Sequence, residues 1–280
     1  MRLATVRTLE GTTRAVRVKD DQLLDLGAAD LGELLADPGW AERAAAASEP
    51  ATHLRGAAFA PVVPRPGKVV CVGLNYRNHI LEMGRDLPEH PTLFAKYADA
   101  LVGATDDVVR PPETDALDWE GELAVVIGAP VRRARGADAE RAIAGFAVLN
   151  DVTCRDWQFR TREWLQGKTW EATTPLGPHL VTPDELPGGV RPVLPISTRV
   201  DGETVQEDST GDLLFDPVAL VEYVSTPATL RPGDVIATGT PGGVGHARTP
   251  PRYLQVGQTL TTEIGGLGRC ENRVVADPVA

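Results

Sequence analysis

Short apolar runs separated by turn residues dominate the pattern of hydrophobic and polar positions along this chain. Runs of four to eight apolar residues bounded by Gly, Pro, Asn or Asp are typical of β-strands. The pattern predicts strands at residues 69–72, 123–127, 146–149, 193–200, 235–238 and 259–264. The clearest helical pattern covers residues 216–224. Because helical patterns are few, the sequence favours a mixed α/β fold that is mainly β over a series of alternating β–α–β units.

The first 65 residues have a pattern of their own. Residues 3–18 predict two short strands around a turn at 10–13, and residues 31–47 predict a helix interrupted by Pro38 and Gly39. The following segment, 61–67, is rich in proline, cannot continue a helix and is typical of a linker. We therefore predict a small N-terminal α+β domain over residues 1–65 and a larger domain over residues 66–280.

Composition narrows the function classes. The chain has 280 residues, 42% of them hydrophobic, which is enough for a large core. Its formal net charge of -11 disfavours nucleic acid or an anionic membrane as a partner, because both require a basic surface. The three cysteines lack C-x-x-C spacing, so neither a disulfide framework nor a zinc site is predicted. The sequence predicts neither a signal peptide nor an apolar stretch of membrane-spanning length, and we expect a cytoplasmic location.

Candidate chemistry begins with Glu120 and Glu122, which open an otherwise apolar strand. Strand side chains alternate, so these two carboxylates are expected on one face, where they require a shared proton, a basic partner or a metal ion. The alternative is an exposed strand end with two solvated glutamates. Asp151 follows the strand at 146–149, a position typical of a turn residue. Together the three carboxylates form an oxygen set of the kind that Mg²⁺ prefers.

Two further segments carry candidate chemistry. His79 and Glu82 are three residues apart and would share one face of a helical turn, where a carboxylate-oriented imidazole can act as a general base for water. The alternative is an ordinary surface pair. The glycine-rich loop 239–245 lacks the features of a nucleotide-binding loop. Its backbone N–H groups beside Thr240 could hold a substrate carboxylate, or the loop could be only a tight turn.

Six blocks of sequence, taken in order, resemble the fumarylacetoacetate hydrolase superfamily over about residues 68–275: GLNYRNHILEMG, LFAKYADALVG, DWEGELAVVIG, GFAVLNDVTCRDWQ, QGKTWEATTPLGPHLVT and LRPGDVIATGTPGGVG. The resemblance implies a β-sandwich or roll catalytic domain and, commonly, a homodimer. It also implies that Glu120, Glu122 and Asp151 bind Mg²⁺ or Mn²⁺, and three carboxylates accept either ion.

The resemblance also assigns roles to other residues. It implies that His79 and Glu82 lie on a segment that orders over bound substrate, and that Lys168 is the family's catalytic lysine. Its R-D-x-Q segment matches Arg155 and Gln158, and Thr240 matches a hydroxyl of its glycine-rich loop. The chain departs from the commoner pattern at residues 97–99, where we assign no substrate role. Two arginines and a tryptophan at residues 160–164 either extend a carboxylate pocket or form a solvated helix face.

These features together predict a metal-dependent hydrolase that cleaves a C–C bond in 2,4-dioxo acids to give pyruvate and a carboxylic acid. Water activated by Glu82 through His79 would attack the 4-carbonyl, and Lys168 with Gln158 would stabilise the oxyanion. Alternatives are an oxaloacetate-type decarboxylase or a 2-oxo-diacid isomerase, because both reactions pass through the same enolate. A more remote alternative is a non-catalytic, metal-stabilised scaffold.

Overall fold

A computed structural model describes residues 1–20, 22–51, 56–82, 84 and 86–278 of the chain, with the side chain of Glu82 outside the description. Within these residues, the strands in chain order are β1 (Arg2–Arg7), β2 (Thr13–Lys19), β3 (Gln22–Asp25), β4 (Ala58–Phe59), β5 (Val69–Gly73), β6 (Thr92–Lys96), β7 (Leu101–Val102), β8 (Val108–Arg110), β9 (Leu117–Asp118), β10 (Gly121–Ile127), β11 (Ile143–Asn150), β12 (Thr153–Cys154), β13 (Thr174–Val181), β14 (Pro195–Val200), β15 (Glu203–Ser209), β16 (Val235–Ala237), β17 (Thr259–Ile264) and β18 (Gly268–Ala276).

The α-helices are short. Those among the described residues are α1 (Leu31–Ala36), α2 (Trp40–Ala46), α3 (Arg77–Glu82), α4 (Ala137–Ala142), α5 (Arg155–Gln158) and α6 (Pro217–Ser225). The longest, α6, begins where the Asp216 carboxylate accepts a hydrogen bond from the Ala219 N–H, an N-cap that satisfies one backbone donor of the first turn. None of the described helices is long and apolar enough to cross a membrane.

The strands form two large sheets. In the first, eleven strands follow the order β3-β2-β1-β13-β11-β10-β16-β5-β6, with β4 paired to β1 and β7 paired to β13. In the second, five strands follow the order β15-β14-β17-β18-β8. Every residue of the central strands β10 and β11 is buried. This explains their almost continuous apolar sequences, because a strand covered on both faces has no solvent-facing positions.

Two apolar clusters cover the faces of the eleven-stranded sheet. Alternate residues of β10 enter different clusters: Leu123 and Val125 pack with the second sheet and α6, while Ala124 and Val126 pack with α1 and α2. Each fully buried aliphatic side chain contributes about 1.5 to 3 kcal/mol relative to an exposed one. Because side chains alternate along the strand, the sheet packs against one layer on each of its faces. The end of β10 that carries Glu122 lies between these two layers.

Most elements predicted from the sequence are confirmed, as is the mainly β fold. The six predicted apolar strands correspond to β5, β10, β11, β14, β16 and β17, and the helix at 216–224 corresponds to α6. The N-terminal helix is interrupted at Pro38 and Gly39, giving α1 and α2. The domain boundary at residue 65 stays a prediction, and β1 pairs with β13, so the N-terminal strands extend the main sheet.

Gly145 lies where β11 runs close to β13, and this contact predicts a stability effect. A Cβ atom at this position would lie 2.3 Å from the Val181 carbonyl oxygen, inside contact distance. We expect Gly145→Ala to lower the free energy of unfolding in urea by about 1 to 3 kcal/mol, because the strands must shift apart. Gly39→Ala is the control, since its Cβ would lie 3.5 Å from its nearest neighbour. Equal unfolding midpoints for the two variants would contradict this packing.

Candidate active site

Three buried carboxylates meet at one end of the main sheet. Glu120 directly precedes β10, Glu122 is its second residue, and Asp151 directly follows β11. The antiparallel register of β10 and β11 brings their ends together, and the Asp151 N–H donates a 2.8 Å hydrogen bond to the Glu120 carbonyl. One oxygen atom from each of the three carboxylates lies within 4.8 Å of the others. The structure thus brings together the three residues that the sequence predicted as a metal site.

Two buried lysines lie against these carboxylates. The Lys168 Nζ atom lies 2.6 Å from Oε2 of Glu120 and 2.7 Å from Oδ2 of Asp151. The Lys96 Nζ atom lies 2.7 Å from the other oxygen of Asp151. Lys168 was predicted from the sequence, whereas Lys96 was missed. Lys96 lies in the block LFAKYADALVG, at the end of the segment that forms β6, and nothing there marks it as a partner of Asp151.

Arg155 provides a third cation from the short helix α5. Its Nη2 atom lies 2.6 Å from Oε1 of Glu120, and its Nε atom lies 2.8 Å from Oδ2 of Asp118. Its Nη1 group donates a 3.0 Å hydrogen bond to the side-chain carbonyl of Gln158. Asp118 also accepts hydrogen bonds from the backbone N–H groups of Gly245 and His246. Sequence analysis missed Asp118, although it stands two residues before Glu120.

The local charges set the protonation of the cluster. Burial acts to lower the pKa of Lys168, but Asp151 and Glu120 outweigh it and hold that pKa well above its ordinary value. Burial acts to raise the pKa of Asp151, but Lys168 and Lys96 outweigh it and lower that pKa to about 2. For Glu122, burial and the charges of Asp151 and Glu120 raise the pKa well above its ordinary value. Lys168 is therefore an ammonium at neutral pH, and Glu122 lacks sufficient positive charge nearby.

The donor set fits a divalent cation. The cluster has four carboxylates and three cations, so with every group ionised one negative charge is in excess. The carboxylates are those of Asp118, Glu120, Glu122 and Asp151, and the cations are those of Lys96, Arg155 and Lys168. Hard cations such as Mg²⁺ and Mn²⁺ prefer such oxygen ligands and keep positions open for substrate oxygens. A cation between the carboxylates would offset the burial and the repulsion that together raise the pKa of Glu122. Their role as metal ligands stays a prediction.

A cavity of about 290 Å³ opens onto this cluster. The predicted residues that line it are His79, Glu120, Glu122, Arg155, Gln158, Lys168 and Thr240. Asp151 is fully buried beside them. Glu82 ends α3, and because its side chain lies outside the described residues, its pairing with His79 stays a prediction. His79 itself is half-buried in the cavity wall.

Thr240 lies at the edge of the cavity with its hydroxyl already engaged. The hydroxyl donates to the Gly121 carbonyl at 3.0 Å and accepts from Nε2 of Gln206 at 2.8 Å. Gln206 in turn accepts a 3.0 Å hydrogen bond from the Gly121 N–H. Because the hydroxyl proton is directed to the protein backbone, a substrate carboxylate here would meet the backbone N–H groups of the loop. The predicted substrate contact through the Thr240 hydroxyl remains untested.

Aromatic residues complete the cavity, and of these the sequence offered only Trp164 as a possible pocket residue. Phe94, Phe159, Trp164 and His246 line the cavity wall and mouth. The arginines at positions 160 and 162 are exposed and lie outside the lining, so they fit the solvated-face interpretation, whereas Trp164 of the same segment lines the cavity. These aromatic positions have no spacing that marks them, because they come from separate elements that meet only in the fold.

Known proteins are similar to this chain in sequence and in fold. The family model for the fumarylacetoacetate (FAA) hydrolase C-terminal region matches residues 68–275. A human mitochondrial oxaloacetate tautomerase is 45% identical over 237 residues, which cover 84% of this chain and 75% of that protein. A fumarylacetoacetate hydrolase from Exiguobacterium antarcticum is 33% identical with a TM-score of 0.84, over 99% of this chain and all of that one. A 5-carboxymethyl-2-hydroxymuconate delta-isomerase from Mycobacterium smegmatis is 31% identical with a TM-score of 0.79, over 99% of each chain.

The excess negative charge at the carboxylate cluster predicts how one substitution affects metal binding. Glu122→Gln keeps the side-chain shape but removes a charged ligand, so we expect the affinity for Mg²⁺ or Mn²⁺ to fall by about 100-fold or more. Isothermal titration calorimetry on the metal-stripped protein measures this. Glu263→Gln, an exposed carboxylate on β17, serves as the control. Unchanged affinity in the Glu122 variant would remove this residue from the ligand set.

Proposed function

The chain belongs to the fumarylacetoacetate hydrolase family, and from that premise we propose that it is a divalent-metal-dependent enzyme that interconverts the keto and enol forms of 2-oxo diacids of the oxaloacetate type. The main support is the set of three buried carboxylates that opens onto a cavity beside a protonated lysine. The names of two similar proteins, a tautomerase and a delta-isomerase, describe isomerisations and favour this reaction over hydrolysis.

The chemistry divides between the cation and Lys168. A divalent cation held by Glu120, Glu122 and Asp151 would supply a Lewis acid for the adjacent carboxylate and carbonyl oxygens of a 2-oxo acid. The Lys168 ammonium is 1% exposed and fixed between two carboxylates. It can stabilise negative charge that develops on a substrate oxygen when a proton leaves C3, at a point from which bulk water is excluded.

His79 is the proposed proton carrier. Its imidazole is half-buried in the wall of the cavity that Lys168 also lines. An imidazole can take or give a proton near neutral pH, whereas the raised pKa of Lys168 makes that residue a poor base. Removal of the C3 proton by His79 would contribute about 10² to 10⁴ in rate.

Hydrolysis of a 2,4-dioxo acid is the second candidate function, because the same histidine could activate water. That reaction requires Glu82 to work with His79, and it would yield pyruvate and a carboxylic acid. Decarboxylation of oxaloacetate would use the same carboxylates and lysine. A non-catalytic scaffold is less well supported, since it gives no reason for a cavity onto buried charges. The homodimer and the cytoplasmic location stay predictions, and the human relative is named as mitochondrial.

Removal of divalent cations should abolish turnover. We expect exhaustively chelated protein to lose the acceleration of oxaloacetate tautomerisation, followed as loss of enol absorbance, and to regain it when Mg²⁺ or Mn²⁺ is added back. The rate with free metal and no protein is the control, because dissolved cations promote this reaction themselves. Full activity of the chelated protein would exclude the proposed role of the three carboxylates.

Glu82→Gln separates the two candidate functions. If Glu82 and His79 activate water, cleavage of an acylpyruvate should fall by about 10² or more in this variant. Tautomerisation of oxaloacetate needs no attacking water and should fall much less. Glu89→Gln, an exposed carboxylate in the same region, is the control. Both substrates are assayed with saturating Mg²⁺, and equal losses would show instead that Glu82 positions the substrate or closes the site.

A further inference from the structure

The cavity has two chemically different ends. Its charged end carries Glu120, Glu122 and Lys168. The remainder of the wall is mostly apolar and is formed by Leu74, Phe94, Phe159, Trp164, Val244 and Ala247. Its volume of about 290 Å³ leaves room beyond a four-carbon diacid at the charged end. A ligand that fills this space needs an anionic head and an apolar body.

Two aromatic rings form a fixed inner wall next to the charged end. Phe94 and Trp164 pack edge to face, with 5.4 Å between ring centroids and 68° between planes. The Lys168 Nζ atom lies 4.8 Å from the Phe94 centroid. Gly73 makes room for the indole, because a Cβ atom there would lie 2.5 Å from Cζ3 of Trp164. The aromatic wall therefore begins directly beside the group that stabilises negative charge.

Further aromatic side chains form the outer rim. Phe159 is 56% exposed, and its ring centroid lies 5.2 Å from that of His246. The Nδ1 atom of His246 lies 3.0 Å from the Tyr253 hydroxyl, which fixes the imidazole. An exposed phenyl ring at the mouth of a cavity gains contact area when a second apolar ring enters. The rim thus continues the apolar surface of the inner wall.

The far end of the cavity is a poor place for a second carboxylate. Among the described residues that line the cavity, Lys168 and Arg155 are the side chains with permanent positive charge. Lys168 already contacts Glu120 and Asp151, and Arg155 contacts Glu120 and Asp118. A second carboxylate beside Phe159 would have no further cation to pair with among these lining residues, which is unfavourable. An uncharged ring would instead be favoured there.

We propose that this apolar end accepts an aromatic substituent, so that the protein also interconverts the keto and enol forms of arylpyruvates, which are 2-oxo acids with an aromatic ring on C3. The inference rests on the proposed function, because it uses the same carboxylates and Lys168. In the reaction a proton leaves C3 and one is delivered to the C2 oxygen, or the reverse, and no bond between heavier atoms breaks. Phe159 and Trp164 would determine this specificity.

Kinetic assays with Mg²⁺ test the proposal on phenylpyruvate and oxaloacetate, each followed by its enol absorbance. We expect the intact protein to accelerate the interconversion of phenylpyruvate. Phe159→Ala should lower kcat/KM for phenylpyruvate by about tenfold, mainly through KM, and change the value for oxaloacetate by less than about twofold. Tyr223→Ala is the matched control, because Tyr223 is also an exposed aromatic residue but lies outside the cavity lining.

A binding measurement gives a readout independent of turnover. Benzoylformate has the 2-oxo acid head and an aromatic ring but cannot enolise, whereas oxalate offers the head without the ring. Calorimetry with Mg²⁺ present should show that Phe159→Ala weakens benzoylformate binding by about tenfold and leaves oxalate binding unchanged. Equal effects on both ligands, or no effect on benzoylformate, would overturn the proposed aromatic subsite.

The two substrates separate failure of this inference from failure of the proposed function. Turnover of oxaloacetate without phenylpyruvate would overturn the aromatic subsite and leave the proposed function standing. No turnover of either would overturn both. Turnover of phenylpyruvate that depends on Phe159, without turnover of oxaloacetate, would support the inference and show that the diacid is not the substrate.

Discussion

Repulsion among buried carboxylates is the constraint on which the rest of this structure depends. Glu120, Glu122 and Asp151 are buried, and one oxygen atom from each lies within 4.8 Å of the others. Such an arrangement is unfavourable unless opposite charge is equally well fixed. Lys168 and Lys96 provide part of that positive charge. It does not suffice for Glu122, whose pKa is raised by burial and by the neighbouring carboxylates. Incomplete internal neutralisation is therefore the physical basis of the divalent-cation binding that we propose for this cluster.

The second sheet holds the carboxylates in position through their backbone. The Glu120 N–H donates to the side chain of Asn150, which donates in turn to Thr262 of β17. The next residue, Gly121, approaches that sheet so closely that a Cβ atom would lie 2.3 Å from Oγ1 of Thr198. Only glycine fits between the two glutamates. The precision of the site thus comes from contact between the two sheets as well as from the central strands.

The features that could be predicted from the sequence are those marked by neighbouring residues along the chain. The strands and the E-x-E pair follow from periodicity, and the family resemblance brought Lys168 and Arg155 into the site. Lys96 and Asp118 were missed, because each is marked only by its ion-pair partner, Asp151 or Arg155, and the fold brings that partner into contact. Phe94 and Phe159 were missed for the same reason. The pairing of β1 with β13 joins segments more than 170 residues apart. Local patterns predict elements well, whereas cross-chain contacts require the structure.

Asp118 connects the inner charges with the rim of the cavity. Its carboxylate pairs with Arg155 and also accepts the backbone N–H groups of Gly245 and His246. The loop that carries Gly245 and His246 is thus held by hydrogen bonds from its main chain. Substitution of its side chains would leave these hydrogen bonds intact. Such a division would allow evolution to replace the ligand-contacting side chains while the reactive charges stay in place. One scaffold could in this way diversify its substrates by a few exposed substitutions.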